Sequence, residues 1–397
     1  METIIERKEI LEIAEIFQKS ETEFMQRYGN SLTNNEKKAY YAIMDCRTKM
    51  LGGHVDKCNS CGYERNSYNS CRNRHCPKCQ YLKKEKWLCK ENNNLLPVKY
   101  FHVVFTVPSE LNPIILNNKK ILYSLFFTTV SSTLRKVSKN KKYLNSIPGF
   151  LSILHTWGQT LSYHPHIHVL ITGGGLTEDK KNWNDSRDNF FLPVRVLSKL
   201  FQRLFLFHLK KLYHRDHLTI PKSCYELSDP SHFQKFLNKL YSLKWVVYCK
   251  EPFENPEHLM NYLGRYTHRV AISNQRILEI TDSTVTFRYK DYADNNKLKP
   301  MTLSHIEFIR RFLLHILPNQ FVKIRHYGIL ANRTRKVSLQ ISKSLLAKDN
   351  RVLAANPDEK DWNHVLRSVI EKVLLCSLCR TGTFVSVSLI PKHSHPP

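Results

Sequence analysis

His164-Pro165-His166-Ile167-His168-Val169-Leu170-Ile171-Thr172-Gly173-Gly174-Gly175 reads as one strand. Histidine alternates with apolar residues at the two-residue period of a pleated chain, and the three glycines end it. Alternation sends all three imidazoles to one face. At about 3.3 Å of rise per residue, His166 and His168 begin about 7 Å apart and can converge on one ion, whereas His164 and His168 begin about 13 Å apart. Two histidines are therefore natural ligands, and His164 joins them only if Pro165 bends the entry to the strand. Otherwise a neighbouring element fills the shell, with His102, His155 and Gln159 as candidates. Spacing alone leaves zinc, manganese and magnesium open.

The flanking sequence extends this strand into a sheet. FLSILHTWGQT (150–160) lies only a few residues upstream, so the two runs form an antiparallel pair. VKYFHVVFTVP (98–108) and KWVVYCK (244–250) read as further strands, with helices expected near 117–138, 196–213 and 231–242. Another helix opens at Pro256 and runs through Tyr266, and apolar steps of three and four residues predict one from Ile4 to Tyr28 that packs on its neighbours. From about residue 302 the chain reads as mostly helical and very basic. The expectation is an α+β fold: a central antiparallel sheet, an N-terminal zinc-binding module and a helical, basic C-terminal part. The expected divisions are 1–94, 95–295 and 296–397.

Seven of the eleven cysteines fall between Cys46 and Cys89. Cys58 and Cys61, then Cys76 and Cys79, form two CxxC pairs separated by fourteen residues, close to the spacing of a four-thiolate zinc site. Such a site is closed to substrate, so the module presents a rigid surface, made cationic by Arg65, Arg72, Arg74 and Lys78. His54, Cys71 and His75 exceed what one ion needs. Cys376 and Cys379 form one further CxxC, which reads either as unliganded thiols near the terminus or as half of a second metal site, with His393 and His395 beyond it.

Sixty-one Lys plus Arg against 34 Asp plus Glu leave a net charge of +27 over 397 residues. That excess favours a polyanionic partner, nucleic acid first. An apolar fraction of 42% fits an ordinary folded chain and argues against a disordered one. The charged start METIIERKEI and the lack of a long apolar run predict no membrane span and a place in the cytoplasm, associated with the nucleoid. Tyr262 and Tyr266 lie four apart on the predicted helix, so both hydroxyls share a face. Arg265, His268 and Arg269 make that helix end cationic and suited to phosphate.

RHCPKCQ (74–80), FHVVFTVP (101–108), HPHIHVLITGGGL (164–176) and YLGRYTHRVAISN (262–274), in this order, resemble the HUH-class transposases of insertion sequences. Those proteins carry two catalytic tyrosines and an N-terminal zinc-binding domain. The resemblance runs from about residue 15 to about 335 and includes EFIRRFLLHILP (307–318) and IRHYGILAN (324–332). It implies an RRM-like core and a single-strand DNA endonuclease and strand transferase of the rolling-circle type. His166 and His168 would be the metal-binding pair, holding Mg2+ or Mn2+, and Tyr262 and Tyr266 the nucleophiles, with Zn2+ structural. Each tyrosine would in turn leave a 5′-phosphotyrosine and a free 3′-hydroxyl. Arg265, His268, Arg269, Arg72 and Arg74 would contact DNA, chiefly the single-stranded ends of the element. Tyr289 and Tyr292 either stack on unpaired bases or pack within a hairpin. The rival readings are a non-catalytic zinc-containing DNA-binding regulator or replication initiator, and a nuclease that uses activated water. A histidine edge beside hydroxyl nucleophiles favours the transposase, because a binding module needs neither.

Overall fold

The computed structural model describes residues 11–187, 191–253, 262, 264, 267, 271–351 and 362–393. From Ile13 on, the apolar period near the start is realised as two helices, α1 (Ile13–Lys19) and α2 (Glu21–Tyr28), because the backbone leaves the helical range at Ser20; residues 4–10 of the expected helix lie outside the described residues. A reciprocal Thr33–Glu36 capping box opens α3 (Asn34–Met44). Next come the hairpin β1 (Gly53–Cys58) and β2 (Glu64–Tyr68), then α4 (Tyr81–Asn92).

The chain continues through β3 (Tyr100–Thr106), α5 (Asn112–Asn117), α6 (Lys119–Ser138), β4 (Ile147–Trp157), β5 (Tyr163–Leu176), β6 (Trp183–Asp185), α7 (Val194–Tyr213), α8 (Pro230–Ser242) and β7 (Val246–Phe253). Tyr262, Gly264 and Thr267 have helical backbone, where the sequence predicts a helix. A meander of β8 (Ile277–Ile280), β9 (Thr284–Asp291) and β10 (Lys297–Ser304) leads to α9 (His305–Leu314). Then follow β11 (Ile324–Gly328), α10 (Arg335–Lys348), α11 (Trp362–Leu374) and β12 (Phe384–Ile390).

The central sheet has the order β11-β4-β5-β3-β7, with β6 attached to β5, and every pairing is antiparallel. The histidine strand is thus interior, as expected. Alternation sorts its two faces. Phe101, Val103, Phe105, Ile167, Val169 and Ile171 point to one side and pack with Phe126 and Phe127 of α6 and Phe201 and Phe205 of α7. Each such buried side chain stabilises the fold by about 1.5–3 kcal/mol. The opposite face carries the histidines.

The part after residue 302 is less purely helical than its sequence suggests, since β11 completes the central sheet and β12 pairs with β1. Packing also crosses the expected divisions. Phe17, Phe24 and Tyr40 of the first helices share one core with Phe287 of β9 and Phe308 and Phe312 of α9. Among the described residues, no helix is long and apolar enough to cross a membrane.

Gly328 shows how tightly β11 is seated. Its φ is +61°, and a Cβ there would lie 1.8 Å from the Pro148 carbonyl oxygen. Gly328→Ala is expected to lower the urea midpoint, combining the left-handed penalty of about 1–2 kcal/mol with displacement of β4 backbone. Equilibrium unfolding followed by far-UV circular dichroism measures the shift.

Candidate active site and metal clusters

The register of β5 against its neighbours builds the histidine cluster. His155 of β4 lies opposite His166, and His168 is two residues farther along the same face. His155, His166 and His168 bring one ring nitrogen each within 4.8 Å of the others. The sequence leaves the third member open between His164 and a neighbouring element; the structure brings in His155, one of the neighbouring candidates. His164 is exposed at the strand's entry, and its backbone carbonyl accepts a 2.7 Å hydrogen bond from His166 Nδ1. That bond fixes the His166 tautomer with its proton on Nδ1 and leaves Nε2 as the nitrogen that could hold a metal.

Burial lowers His166 to about 4 and holds His168 well below the ordinary imidazole value, with neighbouring imidazoles adding to the effect. Both are therefore neutral near pH 7, the form that ligates a metal. Three converging imidazoles on a rigid sheet fit a divalent ion that keeps positions open for substrate oxygen.

His102 links this cluster to Tyr262. Its Nε2 lies 2.8 Å from His168 Nδ1, and its Nδ1 lies 3.3 Å from the Tyr262 hydroxyl. Burial, then the Lys250 charge, lowers His102 to about 4. Lys250 pairs with His102 across β3 and β7, and its Nζ sits 5.8 Å from the Tyr262 ring centre. Tyr266, Arg265, His268 and Arg269 lie outside the described residues.

A cavity of about 850 Å³ opens over the histidines and Tyr262. Its far wall is the β9–β10 hairpin, with Arg288, Tyr289, Lys290 and Tyr292 facing the histidines across the cleft. Arg276 braces that wall: its guanidinium donates to the Arg288 carbonyl at 2.7 Å and to the Gln159 carbonyl at 2.6 Å. Lys250, Arg276, Arg288 and Lys290 were not singled out from sequence. They are single basic residues in a very basic chain, and only strand pairing reveals which of them share a wall.

The four cysteines read as one site do not come together. Cys76 and Cys79 join Cys46 and Cys71, while Cys58 and Cys61 join Cys376 and Cys379. In the first group Cys79 Sγ lies 3.4 Å from Cys46 and 3.6 Å from Cys71. A tetrahedral zinc with bonds of about 2.3 Å places its sulfurs about 3.8 Å apart, so the group matches a zinc shell. Hydrogen bonds from Cys71 and Cys76 lower the Cys46 thiol well below its ordinary value. Arg74 is also displaced from its expected role. It turns inward, donates to the Phe321 carbonyl at 2.7 Å, and has its pKa lowered by burial. Arg72 remains exposed.

Comparison with known proteins shows the family. The family described as "Putative transposase" matches residues 149–338, and the "Transposase zinc-binding domain" matches 16–107. The "Putative transposase y4qJ" of Sinorhizobium fredii is 41% identical over 97% of each chain. The chain belongs to this family of insertion-sequence transposases. The "Transposase for insertion sequence element IS801" of Pseudomonas savastanoi pv. phaseolicola is 28% identical over 73% of this chain and 69% of that protein. No solved structure matches. The resemblance to HUH-class transposases is thereby borne out. The transposase has DNA as its partner, and its zinc-binding domain contains the group of Cys46, Cys71, Cys76 and Cys79.

Cys71→Ser is expected to lower the zinc content by one ion per chain and to lower the melting temperature, because small metal modules draw their folding free energy from the ion. Cys89→Ser, on α4 outside both groups, should leave zinc content unchanged. Elemental analysis with thermal scanning checks both.

Proposed function

We propose that the transposase nicks and rejoins single-stranded DNA through a tyrosine nucleophile, Tyr262, at a divalent ion held by His155, His166 and His168. The observation that carries this reading is the contiguous contact from the histidine cluster through His102 to the Tyr262 hydroxyl. Magnesium or manganese bound there supplies Lewis-acid polarisation of the scissile phosphate. The protein supplies the rest. Were His168 to hold the ion through Nε2, its proton would reside on Nδ1 and be donated to His102 Nε2, 2.8 Å away. The His102 proton then resides on Nδ1 and points at the Tyr262 oxygen. An N–H aimed at that oxygen stabilises negative charge on it as the nucleophile forms.

Attack by the tyrosine oxygen, whose phenolic proton passes to solvent, forms its bond to phosphorus and breaks the bond to the 3′ oxygen, which takes up a proton from solvent and leaves as a hydroxyl. The products are a 5′-phosphotyrosine and a free 3′ end, so the ester bond is kept for rejoining. Tyr266, four residues on, is the second nucleophile, which allows a second junction to be cut while the first end is held. The aromatic and cationic far wall suits an unpaired strand: Tyr289 and Tyr292 offer ring faces to bases, while Arg288 and Lys290 offer charge to phosphates. Arg72, Arg265, His268 and Arg269 add phosphate contacts. Rolling-circle-like mobilisation of an insertion sequence in the cytoplasm follows from these steps.

The test is a denaturation-resistant protein–DNA adduct formed on a single-stranded oligonucleotide carrying an element end. Wild type with magnesium or manganese should form it, and chelator should abolish it. His166→Ala and His168→Ala should form none while keeping most DNA binding, which rests on many basic contacts. Tyr262→Phe with Tyr266→Phe should also form none. Cleavage by that double variant would favour activated water instead. His102→Gln is expected to slow adduct formation on the order of 10–100-fold without weakening DNA binding, the usual cost of losing a group that orients a ligand.

A further inference from the structure

We infer that Cys58, Cys61, Cys376 and Cys379 form a second structural zinc site, which fastens residues 376–390 onto the zinc-binding domain. Cys58 lies 3.7 Å from Cys379 and Cys61 lies 3.7 Å from Cys376, sulfur to sulfur, and all four sulfurs are within 4.8 Å. Those separations are near the tetrahedral edge of about 3.8 Å and far from the disulfide length of about 2.05 Å. Cys376 and Cys379 fall outside both regions matched by the family comparisons.

The two CxxC turns are built alike. The Gly62 amide donates to the Cys58 carbonyl at 3.1 Å, and the Arg380 amide donates to the Cys376 carbonyl at 3.0 Å. Each turn therefore closes four residues after its first cysteine, and in each the closing residue has positive φ, +73° at Gly62 and +57° at Arg380. A left-handed arginine is uncommon and persists only where surrounding structure enforces it. Backbone amides also point at sulfur, from Ser60 to Cys58 at 3.5 Å and from Gly382 to Cys379 at 3.3 Å. Gly382 makes room for this approach, since a Cβ there would lie 2.5 Å from Cys58 Sγ.

Apolar packing does not account for the docking. β12 pairs with β1, Cys58 opposite Phe384, yet Val385, Val387 and Leu389 of β12 are exposed. The buried cluster at this junction consists of Cys58, Cys376 and Phe384. A hairpin with so small a core needs a covalent or metal staple. Four thiolates are a soft, closed donor set, which selects zinc and leaves no position for substrate. The ion joins segments more than 310 residues apart in sequence and so links the turn after β1 to the hairpin that follows α11.

Elemental analysis of the full-length protein should find two zinc ions per chain. The double variant Cys376→Ser, Cys379→Ser should keep one, and residues beyond 351 should then be removed faster by limited proteolysis. Cys71→Ser should also keep one, at the complementary site. Two ions in the double variant would overturn the inference. So would a wild type with a single ion that Cys71→Ser removes, or iron in place of zinc. Should the double variant fail to fold, X-ray absorption at the zinc edge of wild type decides: a shell of four sulfurs averaged over two ions supports the site, and a mixed nitrogen and sulfur shell overturns it.

Discussion

Pairing of β5 between β3 and β4 is the constraint on which the rest of the structure depends. A strand has a period of two, so slipping this one by a single residue would turn Ile167, Val169 and Ile171 to the cleft and bury the imidazoles among phenylalanines. The apolar face forbids that slip. Packing of α6 and α7 on one side of the sheet therefore sets the geometry of the histidines on the other. The core specifies the site without touching it.

The same pairing also creates the electrostatic character of the site. Imidazoles on an interior strand lose solvation, and cationic forms crowded together repel, so His102, His166 and His168 all stay neutral. Neutral rings leave lone pairs for an ion and hydrogen bonds for one another. The basic residues are kept to the cleft walls, at Lys250, Arg288 and Lys290. This separation lets one surface attract phosphate while the ligand set remains unprotonated.

The zinc-binding domain is tied into the rest of the chain through its polar interior. Besides the inward Arg74, the Leu317 amide donates to His75 Nε2 at 3.1 Å, and Asn35 donates to the Leu317 carbonyl at 2.6 Å. Burial holds His75 down to about 3, which keeps it a neutral acceptor. His326 of β11 lies 3.1 Å from Glu91 of α4, both nearly buried. Partners so deep are costly to separate, because removing one leaves the other unpaired away from water. Residues read as a cationic surface thus include some that hold the domain to the core.

The sequence by itself determined the central strands β3, β4, β5 and β7, the α+β class, the His166–His168 edge and the presence of cysteine clusters, because each depends on short-range periodicity or spacing that a few residues carry alone. Helix boundaries followed to within a few residues for the same reason, as at α6, α7 and α8. Only the tertiary structure decided which residues from distant segments meet. Between His164 and the candidates on neighbouring elements, strand register, invisible in one strand's pattern, selects His155 by putting it opposite His166. Cys46 and Cys71 complete one thiolate group and Cys376 and Cys379 the other, since CxxC turns specify how two sulfurs sit side by side and say nothing of which second pair approaches. Arg74 looks like any other surface cation until the chain near Phe321 folds over it. Local pattern fixes the face a residue presents, and long-range packing fixes what that face encounters.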